Sequence, residues 1–512
     1  MRPAGVAQSD QGAPGPGEAR LLASGALVQQ IAQAAGLLVL LAIVTVLARR
    51  LTVAELGAYG LVASLAGYLL VLRNSVASAA VRAMAAATEP GERARMFSAA
   101  AALYAVVGLC TGLLIAAAGL AIAAFLLDGA LARDARAGGL GLGALTAVGI
   151  AATVYLDGLR AERRFVHAAR LEIVAVTLQL ALMLTLIFAG ARLGVLIAAS
   201  GAIPLFSGLL CALAARRTSP SLRLVPAGMT RSNAMAIVPT AGWLLLVELA
   251  NLAMYAFSRV ILGAYRTPAS VGLFEGPLRA HNLLYALGGA LAVPVVPTTS
   301  GYMASGDERR LRELVVRGTR YTLALFVPLC VTLMVLAEPI LEVWLGERYG
   351  EGAAALAILV SYWLLYGGLV VTPGFLVGAG RAREVALIVS GAAAANLVLS
   401  VILTPELGLE GPALGTAIPF ALAFPLMLRT GLRASGAGLG ALARQAWLPA
   451  YTLGLALAAV LVALRLAAEP VTLPAVLGAA AGGVLAYWVA FYALVLEPPE
   501  RELARGLVSR RA

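Results

Sequence analysis

The sequence contains no lysine and little charge of either sign. All 38 basic residues are arginines, and charged residues make up only 12% of the 512. A soluble domain is usually about 25% charged and about 45–50% apolar, whereas this chain is 61% hydrophobic with a mean hydropathy of +0.91. A water-soluble core cannot bury that much apolar surface. The composition therefore predicts a protein whose solvent is a lipid bilayer.

Other absences exclude whole classes of function. The three cysteines each fall inside an apolar run, which argues against a disulfide framework or a zinc site and favours buried small side chains. No phosphate-binding loop of the form G-x-x-x-x-G-K-[ST] occurs, so no ATP chemistry and no cofactor are expected. The net charge of +12 is spread over short segments between apolar runs, which argues against a nucleic-acid partner. The predicted outer loops are short, which argues against a membrane enzyme such as a polymerase or glycosyltransferase.

What the sequence does contain is a long series of apolar runs. The first residues, 1–21, are rich in glycine and proline and predict a disordered tail. The run that follows is too long for the apolar part of a cleaved signal peptide, so it is interpreted as a retained span. Fourteen transmembrane helices are predicted, near 22–48, 57–72, 97–127, 139–157, 170–190, 193–215, 235–263, 272–300, 318–343, 353–378, 384–404, 411–430, 446–466 and 473–496.

The arginines alternate between the two sides of this topology. With a cytoplasmic N-terminus, 28 of the 38 arginines lie in cytoplasmic segments, nine lie outside and Arg279 lies within a span. This bias matches the rule that cytoplasmic loops are enriched in arginine. It predicts a multi-pass protein of the bacterial cytoplasmic membrane with both termini in the cytoplasm.

Two short phrases each have a similar copy later in the chain, and the two pairs are separated by nearly the same number of residues. "RLTVAELGAYGL" begins at Arg50 and "RTPASVGLFEGP" at Arg266, and aligning Gly57 with Gly272 also aligns Thr52 with Thr267. "GLRAERRF" begins at Gly158 and "GAGRAREV" at Gly378. Both pairs occupy matching places in the topology, which indicates two like-oriented six-helix blocks, an arrangement used by alternating-access transporters.

This duplication sets the predicted domain organisation. The fold class is an all-α polytopic membrane protein with two six-helix lobes in parallel pseudo-repeat plus two C-terminal helices. The predicted segments are a cytoplasmic tail at 1–21, an N-terminal lobe at 22–216, an inter-lobe linker at 217–232, a C-terminal lobe at 233–430, a linker with helices thirteen and fourteen at 431–496, and a cytoplasmic tail at 497–512.

Polar residues recur on single faces of several spans and predict a hydrated cavity between the lobes. An ionisable group deep in a membrane helix costs roughly 2.5–3.5 kcal/mol on insertion scales, so such groups usually face a cavity or a partner. In span seven, four polar residues fall within about 80° of one another on a helix. The candidate cavity-lining residues are Arg279, Glu248, Asn251, Tyr255, Arg259, His281, Asn282, Gln29, Gln33, Glu172 and Gln179.

Arg279 is the candidate for holding an anionic group, because a guanidinium offers a fixed fork of donors matched to phosphate. Alternatives remain for several residues. Glu248 could instead pair with Arg259 or Arg279 to hold helices together. Arg259 could lie at the outer headgroup level and extend its charge into water. His281 could transfer protons or simply pack between helices.

Four phrases resemble the polysaccharide-biosynthesis flippases of the multidrug/oligosaccharidyl-lipid/polysaccharide exporter superfamily. They are "LARRLTVAELGAYGLVAS", "DGLRAERRF", "VGLFEGPLRAHN" and "YTLALFVPLCVTLMVLAEPILEVWLGERYG". The resemblance covers about 22 to 430. It implies a V-shaped pair of lobes that moves a polyprenyl-diphosphate-linked oligosaccharide from the inner to the outer leaflet. It also implies membrane lipids, glycosyltransferases and a polysaccharide polymerase as partners.

The resemblance leaves related functions open. In lipid II flippases of this superfamily, arginines in the cavity hold the diphosphate, and Arg279 is the position here that matches. The first span has Gln29 and Gln33 where those relatives place arginines, which argues against a lipid II flippase. An ion-coupled multidrug antiporter of the same superfamily would need an acidic pocket, whereas Asp157 and Glu172 are predicted at a cytoplasmic edge.

Overall fold

The computed structural model describes residues 35–87, 89–235, 237, 257–292, 294–468, 472–498 and 500–502, and the regular elements in these ranges are helices. The all-α prediction is confirmed. The helices of the first half are α1 (35–50), α2 (Val53–Ala86), α3 (Pro90–Phe125), α4 (Gly129–Ala152), α5 (Val154–Ala161), α6 (Phe165–Phe188), α7 (Leu193–Ala199), α8 (Ala202–Thr218) and α9 (Arg231–Met235).

The second half follows a similar order. Its helices are α10 (257–265), α11 (Pro268–Ala292), α12 (Val295–Ser305), α13 (Glu308–Val335), α14 (Ala337–Leu345), α15 (Ala353–Tyr366), α16 (Val371–Gly378), α17 (Ala382–Leu407), α18 (Glu410–Ser435), α19 (Leu439–Leu442), α20 (Leu448–Ala468) and α21 (Leu473–Leu494). The last two long helices, α20 and α21, are the predicted thirteenth and fourteenth spans.

Ten helical stretches in the described ranges are long and apolar enough to cross a membrane, and α7 with α8, bent by 41°, makes an eleventh. The other three predicted spans have specific explanations. Large parts of spans one and seven lie outside the described residues. Span eight is α11, which has 25 residues but contains Glu275, Arg279, His281 and Asn282, so its hydropathy is lower. The prediction of a polytopic helical protein is confirmed.

Two predicted boundaries are wrong in instructive ways. Span two was expected at 57–72, but α2 runs for 34 residues from Val53, because Arg73 pairs with Asp157 inside the protein and does not end the helix. Span eight was expected to continue to residue 300, but α11 ends at Ala292, and α12 begins after Pro294. A proline cannot donate its backbone hydrogen bond, which explains the break.

The helix starts repeat along the chain. α2 begins at Val53 and α11 at Pro268, while α6 begins at Phe165 and α17 at Ala382, so the two pairs of starts are separated by nearly the same length of chain. Both copies of the first turn have a threonine N-cap, since Thr52 accepts from the Glu55 backbone at 3.2 Å and Thr267 accepts from the Ser270 backbone at 3.3 Å. The matching starts support the predicted pseudo-repeat.

The two copies of the repeated phrase contact each other. A Cβ on Gly57 would overlap the carbonyl of Pro268, and a Cβ on Gly272 would overlap the carbonyl of Val53. α2 and α11 therefore cross at their first turns with backbone against backbone, and the contacts are reciprocal. The phrase is repeated because each copy provides one half of this crossing, which lies at the predicted outer end of both helices.

Candidate functional site

A cavity of about 300 Å³ lies between the two halves of the chain. Four of the predicted candidates line it: Gln179 from the first half, and Arg259, Arg279 and Asn282 from the second. The other polar lining residues are Tyr59, Ser64, Thr146 and Ser200. The remaining wall is apolar or glycine and comes mainly from α1, α2 and the α7–α8 break. Residues distant in sequence thus meet where the lobes face each other.

A buried ion triad forms one wall of this cavity. Glu275 accepts hydrogen bonds from Arg259, whose Nη2 lies 3.1 Å from Oε2 and whose Nε pairs with Oε1. Arg279 Nε lies 3.3 Å from the same Oε2. The side chains of Arg259 and Glu275 are 3% and 2% exposed, whereas that of Arg279 is 14% exposed. Among the described residues, two guanidinium groups thus share one carboxylate.

Glu275 was missed in the sequence, although it lies four residues before Arg279, a spacing typical of helical ion pairs. Its place depends on the opposite helix, because a side chain at Gly60 would overlap the Glu275 carboxylate. The alternative of Arg259 at the headgroup level is wrong, since its charge is buried against Glu275. Glu248, the partner that the sequence offered for both arginines, lies outside the described residues.

Two residues that line the same cavity each have a buried polar atom without a hydrogen-bond partner in the described part of the chain. Gln179 Nε2 donates to the Ala199 carbonyl at 3.0 Å, but Gln179 Oε1 is buried with no hydrogen-bond partner in the described part of the chain. The same holds for the hydroxyl of Thr146, and these two residues are 2% and 1% exposed. A buried polar atom without a partner is costly, so such atoms usually bind water or a ligand. The lining of the cavity therefore combines the Arg279 guanidinium with two polar residues whose hydrogen bonding is incomplete in the described part of the chain.

Two predicted candidates lie elsewhere. Glu172 is near the predicted cytoplasmic end of α6, where it pairs with Arg160 at 2.8 Å. Arg160 also pairs with the buried Asp157 at 3.0 Å, and Asp157 accepts from Tyr104 at 2.7 Å. Glu172 thus belongs to an intra-lobe ion network and not to the cavity wall, because the seven residues to Gln179 span about 10 Å of helix.

His281 points away from the cavity into the second half. Its Nδ1 accepts a hydrogen bond from Trp363 Nε1 at 3.2 Å, and the residue is 1% exposed. Its ring also lies 5.6 Å from that of Tyr362. This environment fits the helix-packing interpretation better than the proton-carrier one. The remaining candidates, Gln29, Gln33, Glu248, Asn251 and Tyr255, lie outside the described residues.

The fold is similar to that of solved transporters. The structure titled "Lipid II flippase MurJ, inward closed conformation" matches with a TM-score of 0.69 at 16% identity, over 91% of this chain and 99% of that one. An inward-facing multidrug resistance MATE family transporter of the MOP superfamily matches with a TM-score of 0.67 at 16% identity, over 80% of this chain and 98% of that one. At these identities the likeness concerns the fold.

Sequence relatives define the family. A protein of Haloferax volcanii named "Probable low-salt glycan biosynthesis flippase Agl15" is 23% identical over 171 residues, which cover 32% of this chain and 34% of that protein. The match thus spans about a third of that relative's length. Residues 46–354, more than half of the 512, match the profile of the family described as "Polysaccharide biosynthesis protein". The chain belongs to this polysaccharide biosynthesis protein family.

Proposed function

We propose that the protein is a flippase that moves a polyprenyl-diphosphate-linked oligosaccharide from the inner to the outer leaflet by alternating access. The main support is the Arg259–Glu275–Arg279 triad, in which Arg279 brings a guanidinium to the lining of the cavity. Gln179 and Thr146, which each have a buried polar atom without a partner in the described part of the chain, line the same cavity. A guanidinium beside neutral hydrogen-bonding groups suits a phosphate that bears a sugar.

The energetics explain why such a cavity is needed. A sugar headgroup that enters hydrocarbon loses its hydrogen bonds to water, and each unmet polar group costs several kcal/mol. A cavity with polar walls replaces those bonds, while the lipid tail stays in the bilayer. Alternating access requires one side to be closed at a time, and the α2–α11 crossing closes the predicted outer side here.

The other assignments follow from this function. The lobe boundaries 22–216 and 233–430 define the two moving bodies. The protein acts in the bacterial cytoplasmic membrane with both termini in the cytoplasm, where glycosyltransferases supply the substrate and a polymerase on the far side uses it. No step makes or breaks a covalent bond, so the protein is a transporter and not an enzyme.

The triad argues against the multidrug antiporter alternative. A pocket for organic cations needs an uncompensated carboxylate, whereas Glu275 is held by two arginines. In the first half, Asp157 and Glu172 are likewise paired with arginines. Vesicles containing the protein should therefore not accumulate ethidium under an imposed proton or sodium gradient, and accumulation would favour the antiporter.

The function can be tested with purified protein in vesicles. The probe is a polyprenyl diphosphate bearing a short labelled oligosaccharide, and translocation is measured as the fraction accessible to a membrane-impermeant glycosidase. We expect Arg279→Gln to slow translocation at least about 10-fold, because a charge-assisted hydrogen bond to phosphate is lost. The matched control is Arg309→Gln, whose side chain is 83% exposed at the start of α13 and should not change the rate. Equal rates for Arg279→Gln and the unmodified protein would refute the proposal.

A further inference from the structure

A cluster of aromatic rings lies in the second half of the molecule and includes two residues of α11, the helix that also carries Arg279 and Asn282. Its centre is Trp363, which is 2% exposed and stacks on Phe326 with the ring centroids 5.1 Å apart and the planes at 9°. Trp363 also donates its indole hydrogen bond to His281. The cluster consists of His281, Tyr285, Phe326, Tyr362, Trp363, Tyr366 and Phe420.

Most of these rings are buried, but Tyr285 is 45% exposed. Its ring packs on Trp363 edge to face at 6.5 Å and 69°. Tyr366, which is partly exposed, packs against Trp363 at 5.8 Å and 90°. Offset and edge-to-face arrangements are the favourable geometries for aromatic pairs, so the buried rings hold the exposed ones in place. The result is a rigid aromatic surface and not a mobile side chain.

The position of Tyr285 relates this surface to the phosphate site. Tyr285, Asn282 and Arg279 all lie on α11, and Asn282 and Arg279 line the cavity. Tyr285 follows Asn282 by nearly one turn, and it stands about 9 Å along the helix from Arg279 and about 120° around it. This is comparable with the length of a diphosphate joined to one sugar ring. Tyr285 also lies away from the α2–α11 crossing, on the side from which a headgroup would enter when the outer side is closed.

The chemistry of this surface differs from that of the triad. The face of a sugar ring presents C–H groups, while its edge presents hydroxyls. An aromatic ring packs on the C–H face without requiring charge, and the tyrosine hydroxyls can exchange hydrogen bonds with the sugar edge. A phosphate group has no C–H face and no hydroxyl edge, and in the proposed function Arg279 binds it.

We infer that Tyr285 and Tyr366, supported by Trp363, form a saccharide subsite that holds the sugar ring next to the diphosphate. This inference rests on the proposed flippase function and adds a residue that distinguishes a sugar-bearing lipid from a bare lipid diphosphate. It places recognition of the lipid phosphate and of the sugar on one helix, one or two turns apart.

The test compares binding of two probes to the full-length protein in detergent. One probe is polyprenyl diphosphate bearing a single N-acetylhexosamine, and the other is the same polyprenyl diphosphate without the sugar. We expect the unmodified protein to bind the sugar-bearing probe more tightly. Tyr285→Leu should weaken that binding by about 3- to 10-fold and leave the sugar-free probe unchanged, whereas Tyr285→Phe should keep the preference because its ring is retained.

The control is Tyr265→Leu, which removes a tyrosine that is 49% exposed at the end of α10, outside the aromatic cluster. It should leave both affinities unchanged. Equal affinity of the unmodified protein for the two probes, or equal loss of both in Tyr285→Leu, would overturn the saccharide subsite alone. Failure of the unmodified protein to bind either probe would overturn the proposed function as well. Thermal unfolding of each variant checks that Tyr285→Leu is folded.

Discussion

Glu275 has a structural role, because it holds the two arginines of the triad in place. It is 2% exposed, and both of its oxygens are engaged by arginines, so its removal takes away the carboxylate that the buried Arg259 and the partly buried Arg279 share. Breaking a buried ion pair by removing one partner typically costs about 3–5 kcal/mol. We expect Glu275→Gln to lower the thermal unfolding temperature clearly in detergent.

The matched control for Glu275→Gln is Glu313→Gln. Glu313 pairs with Arg309 four residues away at 2.9 Å, but their side chains are 37% and 83% exposed. Solvent screens such surface pairs, so Glu313→Gln should leave the unfolding temperature unchanged. If the two variants unfold at the same temperature, Glu275 does not hold the triad together.

At this scale the sequence predicted part of the site. Arg279 and Asn282 were identified because polar groups are rare in apolar spans, and both line the cavity. Glu172 and Gln179 were grouped on one face of a helix. A shared face predicts the direction in which the side chains point, but not how far along the helix the cavity extends, and only Gln179 reaches it. Glu275 was overlooked because its role depends on the space left by Gly60, which lies on α2 in the other half of the chain. No local pattern contains that information.

At the scale of the secondary-structure elements, the α2–α11 crossing can be tested most directly. Any side chain at Gly57 or Gly272 would overlap the backbone of the partner helix, so even alanine must push the helices apart. We expect Gly57→Ala and Gly272→Ala to open the predicted outer side and slow translocation. A cysteine at Ala269 should then react faster with an impermeant maleimide added from outside.

The same pair of helices provides a control for the crossing. Gly289 on α11 has open space where a Cβ would be placed. Gly289→Ala should therefore leave translocation and labelling unchanged. Gly57→Ala with unmodified labelling and translocation would show that the crossing does not close the outer side.

The segment after α21 docks on the predicted cytoplasmic end of α13. Glu500 accepts hydrogen bonds from the Tyr321 hydroxyl and from the Glu497 backbone, and it pairs with Arg320. Burial raises the pKa of Glu500, but these hydrogen bonds and the Arg320 charge outweigh it and hold the pKa below its ordinary value of 4.5. Because the folded pKa is lowered, the carboxylate contributes stability above the ordinary pKa and loses it as the pH falls through the folded pKa.

This linkage can be measured with a spin label at Pro498 in a variant without native cysteines. The label should be immobile at neutral pH and become mobile as the pH falls below about 4.5, the ordinary pKa of the carboxyl group. Glu500→Gln should make the mobility independent of pH in that range. A label that is already mobile at pH 7 would contradict the docking.

For the molecule as a whole, the duplication explains why the site is asymmetric. The alignment that places Gly57 on Gly272 also places Gly60 on Glu275 and Ser64 on Arg279. Gly60 faces Glu275 itself, and Ser64 and Arg279 both line the cavity, so equivalent positions meet where the halves join. Two carboxylates at that junction would repel each other. One half therefore has the charges, and the other has the small residues that make room for them.

The architecture was more predictable than the site for a physical reason. Apolar runs predict which segments lie in the bilayer, and arginine bias predicts on which side of it the loops lie. Both can be seen within a short stretch of sequence. Helix breaks such as those at Pro294 and between α7 and α8, and the length of α2 beyond Arg73, depend on contacts between segments. The cavity depends on such contacts throughout.

The orientation is the last prediction, and it determines which end of the α2–α11 crossing is called outer. In a variant with Cys110, Cys211 and Cys330 replaced by alanine, single cysteines are introduced by Arg348→Cys and Arg309→Cys, both at exposed positions. Because cytoplasmic loops are enriched in arginine, we expect an impermeant maleimide to label residue 348 in intact cells and residue 309 only after permeabilisation. The reverse labelling pattern would mean that the protein has the opposite orientation in the membrane. Tyr285 would then lie toward the outside, and the structure would represent a state that releases the headgroup and does not receive it.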